Sequence, residues 1–256
     1  MPISLYFYSA LNAVKKILAA DFACHESDFE NEGIYIHQAK ALPGRRRFPF
    51  REKPFAVATM GKGVVVSCGV ERLGWCDAHL SQLSRNDIFA PPAVTLMDEY
   101  VKKDGQYIAG PDLKHVCTRD IFRPYKPEKD IELTLIEDTK GLEQYNDDDR
   151  FINTRGYPNN PRRVAAFATV KGSIAGIASA CADTDLMWQI GVDTLEEYRH
   201  RGIGKAMVSA LTEYILKQRN IPYYSSFESN TTSRALAASL GYKTAWIELY
   251  ARGKNV

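Results

Sequence analysis

The stretch Val192-Asp-Thr-Leu-Glu-Glu-Tyr-Arg-His-Arg-Gly-Ile-Gly-Lys-Ala206 decides the fold. It starts as the end of a strand, passes through a short connection into a glycine-bearing turn, and opens a helix. Gly202 and Gly204 carry no Cβ, so they tolerate strained dihedrals and let a ligand come close to the main chain. Downstream, Ile203, Met207, Leu211, Tyr214 and Ile215 recur at helical spacing, which predicts an amphipathic helix from Gly204 to Arg219. The first-turn amides of such a helix have no internal partner and together bear about half a positive charge. Arg199, Arg201 and Lys205 crowd the same end. A phosphate or pyrophosphate is the natural occupant.

Two common phosphate loops do not fit. A P-loop needs Ser or Thr after Gly-Lys, and Ala206 follows Lys205. A dinucleotide fingerprint needs a third Gly or Ala where Met207 stands, and an acid at the tip of the next strand. The pattern that does fit is Arg-x-x-Gly-x-Gly (Arg199, Gly202, Gly204) after a strand ending at Thr194. Asn230-Thr-Thr-Ser233 then leads a short helix closing on Ser239-Leu240-Gly241-Tyr242. Together these resemble the GNAT superfamily of acyl-CoA-dependent N-acetyltransferases, over residues 131–256.

The resemblance implies an α/β fold with a mixed sheet and acetyl-CoA as cosubstrate. The pantetheine arm would lie along Val192, Asp193 and Thr194 like an added strand. The pyrophosphate would sit on Arg199, His200, Arg201, Gly202, Ile203, Gly204 and Lys205, with Asn230 and Ser233 toward the pantetheine or thioester. An alkylamine acceptor of pKa near 10.4 is protonated at neutral pH, so a base is expected; a thiol leaving group, pKa about 8.5, needs less help. Here the sequence departs from the family. The position of its usual tyrosine acid is Ala237, that of a strand glutamate is Ser225, and Trp188, flanked by Gln189, stands near another. Glu228 is the leading catalytic candidate, ahead of Gln189, Tyr198 and Asp185; its plainer role is a solvated carboxylate at a strand end.

With 256 residues the chain has room for one large domain or two small ones. An apolar share of 45% and a net charge of +2 describe an ordinary globular protein with no electrostatic claim on nucleic acid. The one dense basic run, Arg45-Arg46-Arg47 with Arg51 and Lys53, is expected to be a solvated loop beside Pro43-Gly44. Five cysteines without a Cys-x-x-Cys pair indicate reduced, mostly buried thiols, and five scattered histidines offer no metal site. Lys15 and Lys16 interrupt the apolar N-terminus, so neither a signal peptide nor a membrane span is expected, and the protein is read as cytoplasmic. The acceptor amine and the oligomeric state are not encoded in any readable motif.

In chain order, a helix is expected over Ser9–Ala20 and a short helix and strand within Asp28–Ala39. A β-hairpin spans Pro54–Thr59 and Val64–Cys68, and a polar stretch runs on through Asn86. A proline-started helix, Ala93–Lys103, stops at Asp104-Gly105. Arg123–Asp130, punctuated twice by Pro, is a linker between an N-terminal domain (1–125) and a catalytic domain (131–256). Strands follow at Ile131–Ile136, Arg163–Val170, Ile174–Cys181, Met187–Thr194, Ile221–Phe227 and Thr244–Arg252. Tyr242, Trp188, Trp246 and Phe227 are expected to pack in the core or a cleft wall.

The two hairpins and the helices after them resemble each other, which suggests two tandem GNAT-like domains, the first degenerate. In that alignment Arg199 falls on Arg85, Gly202 on Ile88 and Gly204 on Ala90, while Pro91 and Pro92 remove two amide donors. The first half should therefore bind no CoA. The leading expectation is an acetyl-CoA-dependent N-acetyltransferase acting on a primary amine, small molecule or protein. The alternatives are a CoA-binding sensor without catalysis and, behind it, an adaptor built on the arginine run.

Overall fold

The computed structural model describes residues 6–48 and 53–253. Arg51 and the first five residues, to which some of the expectations above refer, lie outside that set. The described residues gather into two compact units of mixed α/β structure. One comprises residues 6–10, 115–225 and 230–243; the other comprises 11–48, 53–114, 226–229 and 244–253. The units are not consecutive stretches of chain, because the last strand belongs with the strands of the first half.

The unit rich in C-terminal sequence is a sheet of β5 (Ile131–Ile136), β6 (Arg162–Val170), β7 (Ser173–Ala182), β8 (Met187–Thr194) and β9 (Ile221–Phe227), in the order β9-β8-β7-β6-β5. The first four are joined antiparallel, and β9 lies parallel to β8. Lys171 and Gly172, both with positive φ, form the tight turn between β6 and β7. Alternation along β6 sorts two cores. Val164, Ala166, Ala168 and Val170 meet Ile203, Met207, Leu211 and Ile215 of helix α5 (Ile203–Lys217). Ala165 and Phe167 turn to the other face, onto Leu142 and Phe151 of the 3-10 segments Thr139–Tyr145 and Asp149–Thr154. Helix α6 (Thr231–Ser239) packs with α5; Asn230 caps its start and Gly241, at φ 91°, marks its end. Tyr242 is core, its phenol 2.6 Å from Thr212 Oγ1.

The other unit runs β1-β3-β2-β10-β4: β1 (Ile34–Gln38), β3 (Val64–Cys68), β2 (Phe55–Thr59), β10 (Lys243–Gly253) and β4 (Gln106–Val116). Helix α1 (Phe7–Phe22) contributes the buried stripe Val14, Leu18 and Phe22. Between β3 and β4 come α2 (Leu73–Leu80), α3 (Arg85–Ile88) and α4 (Pro91–Lys102), the last with both prolines in its first turn. The expected polar stretch before Asn86 is thus mostly helical. Cys76 and Leu80 are buried, Trp75 stacks on Tyr100 at 3.8 Å, and Ser84 with Asp87 forms a capping box for α3. Strand β4 carries no expectation in the sequence, since Gly110-Pro111 disguises it.

The pairing senses of one unit recur in the other. Where β9 runs parallel to β8 and β8 antiparallel to β7, β1 runs parallel to β3 and β3 antiparallel to β2. The chain order differs, however. The spacing that lays Arg199 on Arg85 lays strand β8 on helix α2. The likeness between the halves therefore holds for hairpin and long helix and fails for the element between them.

Among the described residues of the arginine run, Arg46 departs from the expected solvated loop. Arg46 is buried, paired with Asp21 and with Glu248 of β10. Lys114 bonds Asp112 at 3.2 Å and faces Glu248, whose Oε1 also accepts from Trp246 Nε1 at 2.6 Å. Burial alone would raise the Glu248 pKa, but the Arg46 and Lys114 cations overcome it and hold the carboxyl below its ordinary range. A depressed carboxylate contributes stability above its unfolded pKa and loses it as pH falls through the folded one. Glu248→Gln, which takes a shared carboxylate from two buried cations and leaves Arg46 with Asp21 and Lys114 with Asp112, should cost about 3 kcal/mol at neutral pH in chemical denaturation. It should also flatten the acid limb of the stability curve below the usual glutamate range.

Candidate functional site

Strand β8 is the spine of the site. Trp188 to Ile190 have β9 on one edge and β7 on the other, the β9 register ending at Ile190↔Tyr224. From Gly191 to Thr194 pairing with β7 continues, but among the described residues pairing with β9 does not. The two strands part there. Val192 and Thr194 turn toward α5, and Gly191 and Asp193 toward the 3-10 segment ending at Thr154. Tyr224, on the last paired rung, is buried, and its phenol is hydrogen-bonded to Ser233. Burial pushes that phenol above its ordinary value, against the Ser233 bond.

Asp193 is fully engaged. Its carboxylate accepts from the Asn153 backbone N–H at 2.8 Å, from Asn153 Nδ2 at 2.6 Å, and from the Thr154 N–H. Partial burial raises its pKa despite those bonds. Beside it, a Cβ on Gly191 would lie 1.8 Å from the Asn153 carbonyl oxygen. Only glycine admits the segment so close.

Past Thr194 the chain makes one 3-10 turn, Glu196–Tyr198, and then two left-handed residues, His200 at φ 63° and Gly202 at φ 74°, flanking Arg201. This geometry throws six successive N–H groups, those of residues 200–205, out of the intramolecular network; among the described residues none has an acceptor. The first helical bond of α5 is Ala206 N–H to the Gly202 carbonyl. The three expected cations have positions. Arg199 is exposed, with Nε 3.4 Å from the Thr194 carbonyl. Arg201 pairs with Asp130, and Lys205 rests on the ring of Tyr125, 4.6 Å from its centroid.

The glycines do more than leave room for a ligand. A Cβ on Gly202 would meet the Tyr125 hydroxyl at 2.4 Å, and one on Gly204 would meet Thr194 Oγ1 at 3.1 Å. Both gaps are filled by side chains of this same unit. Val192, Asp193, Thr194, Arg199 to Lys205, Asn230 and Ser233 all belong to it. Asn230 Oδ1 is committed to capping, accepting from the Ser233 N–H at 3.0 Å. Glu228 groups with the other unit, where it is exposed and its N–H donates to the Pro111 carbonyl. The sequence drew no attention to Tyr125 and Tyr224; a tyrosine in a linker and a tyrosine on a strand carry no spacing signal.

The cysteines are all free. Burial pushes the Cys117 and Cys181 thiols up to about 12, so neither is ionised near neutrality. Among the described residues no cluster of His, Cys, Asp or Glu could hold a metal ion, and no helix is long and apolar enough to cross a membrane.

Parted parallel strands leading to a turn of unpartnered amides agree with one comparison in particular. Residues 130–246 match the model of the GNAT acetyltransferase family. This stretch is a GNAT acetyltransferase domain. The family implies acyl transfer from an acyl-CoA. No curated protein matches the chain. Among solved structures, this chain is similar to a GNAT-family acetyltransferase of Novosphingobium aromaticivorans (17% identity, 59% of this chain and 69% of that one, TM-score 0.44). It is also similar to a GCN5-related N-acetyltransferase-like protein of Streptococcus suis (21% identity, 64% and 69%, TM-score 0.46). A Drosophila protein matches over 97% of this chain and 89% of its own at 14% identity and TM-score 0.47. Similarity at this level passes no residue role to the GNAT domain.

Gly191→Ala should destabilise the domain by about 3 kcal/mol, since the new methyl meets backbone rather than a movable side chain. Hydrogen exchange should then show residues 149–154 losing protection before the sheet does.

Proposed function

We propose that residues 131–256 carry an acetyl-CoA-dependent N-acetyltransferase acting on a primary amine. The observation that supports this best is the parting of β8 and β9 after Ile190 and Tyr224, in line with the six unpartnered amides of residues 200–205. The diphosphate of acetyl-CoA would lie on those amides, with Arg199 and Lys205 beside it. The pantetheine arm would run back along the free edge of Gly191 to Thr194, bonding to main chain as an added strand does. Its thioester would then end at the closed fork, next to Tyr224.

Chemistry at the fork is aminolysis. The amine, once deprotonated, attacks the thioester carbonyl; a main-chain N–H of β8 would hold the oxyanion. Carbon–sulfur cleavage sends the electron pair to sulfur, and Tyr224, kept protonated by its burial, would supply the proton. The proton lost by nitrogen balances it through solvent. This assignment replaces Glu228 as the favoured acid–base residue of the site.

Residues 1–125 would hold no coenzyme at the head of α4, which starts on two prolines and so lacks two of the amide donors a diphosphate needs. The runner-up is a CoA-binding sensor, favoured by the absence of a carboxylate at Ser225 and of a tyrosine at Ala237.

Acetyl-CoA at 100 times its Kd should add about 2.7 kcal/mol of stability. No thermal shift and no calorimetric saturation would remove enzyme and sensor together. Thiol release with a panel of primary amines separates the two; where it occurs, Tyr224→Phe should lower kcat about 100-fold with acetyl-CoA affinity retained.

A further inference from the structure

Tyr125 belongs to the segment before the sheet, not to the turn, yet it is built into the head of α5. Its N–H donates to Ser209 Oγ at 2.8 Å, and its ring lies under Lys205 Nζ. Its hydroxyl reaches Gly202, the residue at the centre of the turn. Residues 202, 205 and 209 form one stripe of the helix, so the ring runs along the first two turns with its phenol at the open end. Among the described residues that phenol has no hydrogen-bond partner. Five residues on, Asp130 pairs with Arg201 and pins the segment on the other side of Gly202. A donor is thus fixed at three points beside six amide donors, and all of them lack an acceptor.

We propose that Tyr125 is a further binding residue for the diphosphate, its O–H donating to a phosphate oxygen while its ring steers Lys205 to the same anion. This rests on assigning residues 200–205 to the diphosphate. It explains two features at once: a turn glycine that cannot gain a Cβ even if its φ were relieved, and a lysine held on an aromatic face rather than in solvent. The lysine–ring contact keeps the ammonium beside the turn that would take the anion, so little side-chain freedom is lost on binding.

The test compares wild type with Tyr125→Phe, which removes one oxygen and keeps the ring, the Ser209 bond and the Lys205 contact. CoA affinity by calorimetry should fall about ten-fold, as expected for a hydrogen bond to a charged group. ADP, which shares the diphosphate and lacks the pantetheine arm, should lose the same factor when displacing a fluorescent CoA. The melting temperature of the free protein should not move. Equal CoA affinity in the two proteins would overturn the proposal while leaving the diphosphate turn standing. So would a loss confined to CoA and absent with ADP, or one accompanied by a lower melting temperature. If wild-type protein binds neither ligand, the coenzyme assignment and this proposal fail together.

Discussion

A strand with a neighbour on one edge only is the constraint on which this GNAT domain turns. Over Gly191 to Thr194, β8 keeps β7 and has lost β9. Main-chain groups must bond to something, whether protein, water or ligand. The domain holds the strand extended regardless, by means that do not use that edge. Asp193 ties one face to Asn153 and Thr154; on the opposite face Gly204 brings the head of α5 against Thr194. The edge stays straight because both faces are nailed down. An extended guest can then be met by a preformed template rather than by a loop that must first be ordered.

The same economy of space governs the turn. Small residues along the route, Gly176, Gly191, Gly202 and Gly204, each admit a different close neighbour: β8 backbone, the Asn153 carbonyl, the Tyr125 phenol and the Thr194 hydroxyl. None of these contacts could survive a methyl group without movement. The glycine pattern in the sequence is therefore a record of backbone-to-backbone and backbone-to-ring approaches as much as of ligand access.

Much of this was legible beforehand, and the reason is local. Strands β5, β8 and β9 follow their expected bounds because each is an apolar run closed by turn residues; α5 follows from its 3.6-residue stripe. The amide turn was legible because two glycines beside basic residues at a helix start have few other uses. What stayed hidden is whatever depends on partners far along the chain. The alternating run at residues 244–252 declares a strand but not that it pairs with Phe55–Thr59. Arg46 looks solvated until Asp21 and Glu248 close on it. Helix α2 hides because Gly74, Asp77 and His79 dilute its apolar stripe, and Tyr125 because a linker residue is judged by its neighbours in sequence rather than by the helix it lies along.

The placement of β10 bears on biosynthesis. Its residues 247–250 complete a sheet whose other strands all precede the GNAT domain in the chain. A chain emerging vectorially therefore has Arg46 with Asp21, and Lys114 with Asp112, long before Glu248 exists to join them. That half must wait, with the edge of β2 uncovered, until nearly all of the GNAT domain has been synthesised. The interval is the period in which the nascent protein most needs shelter from association with others.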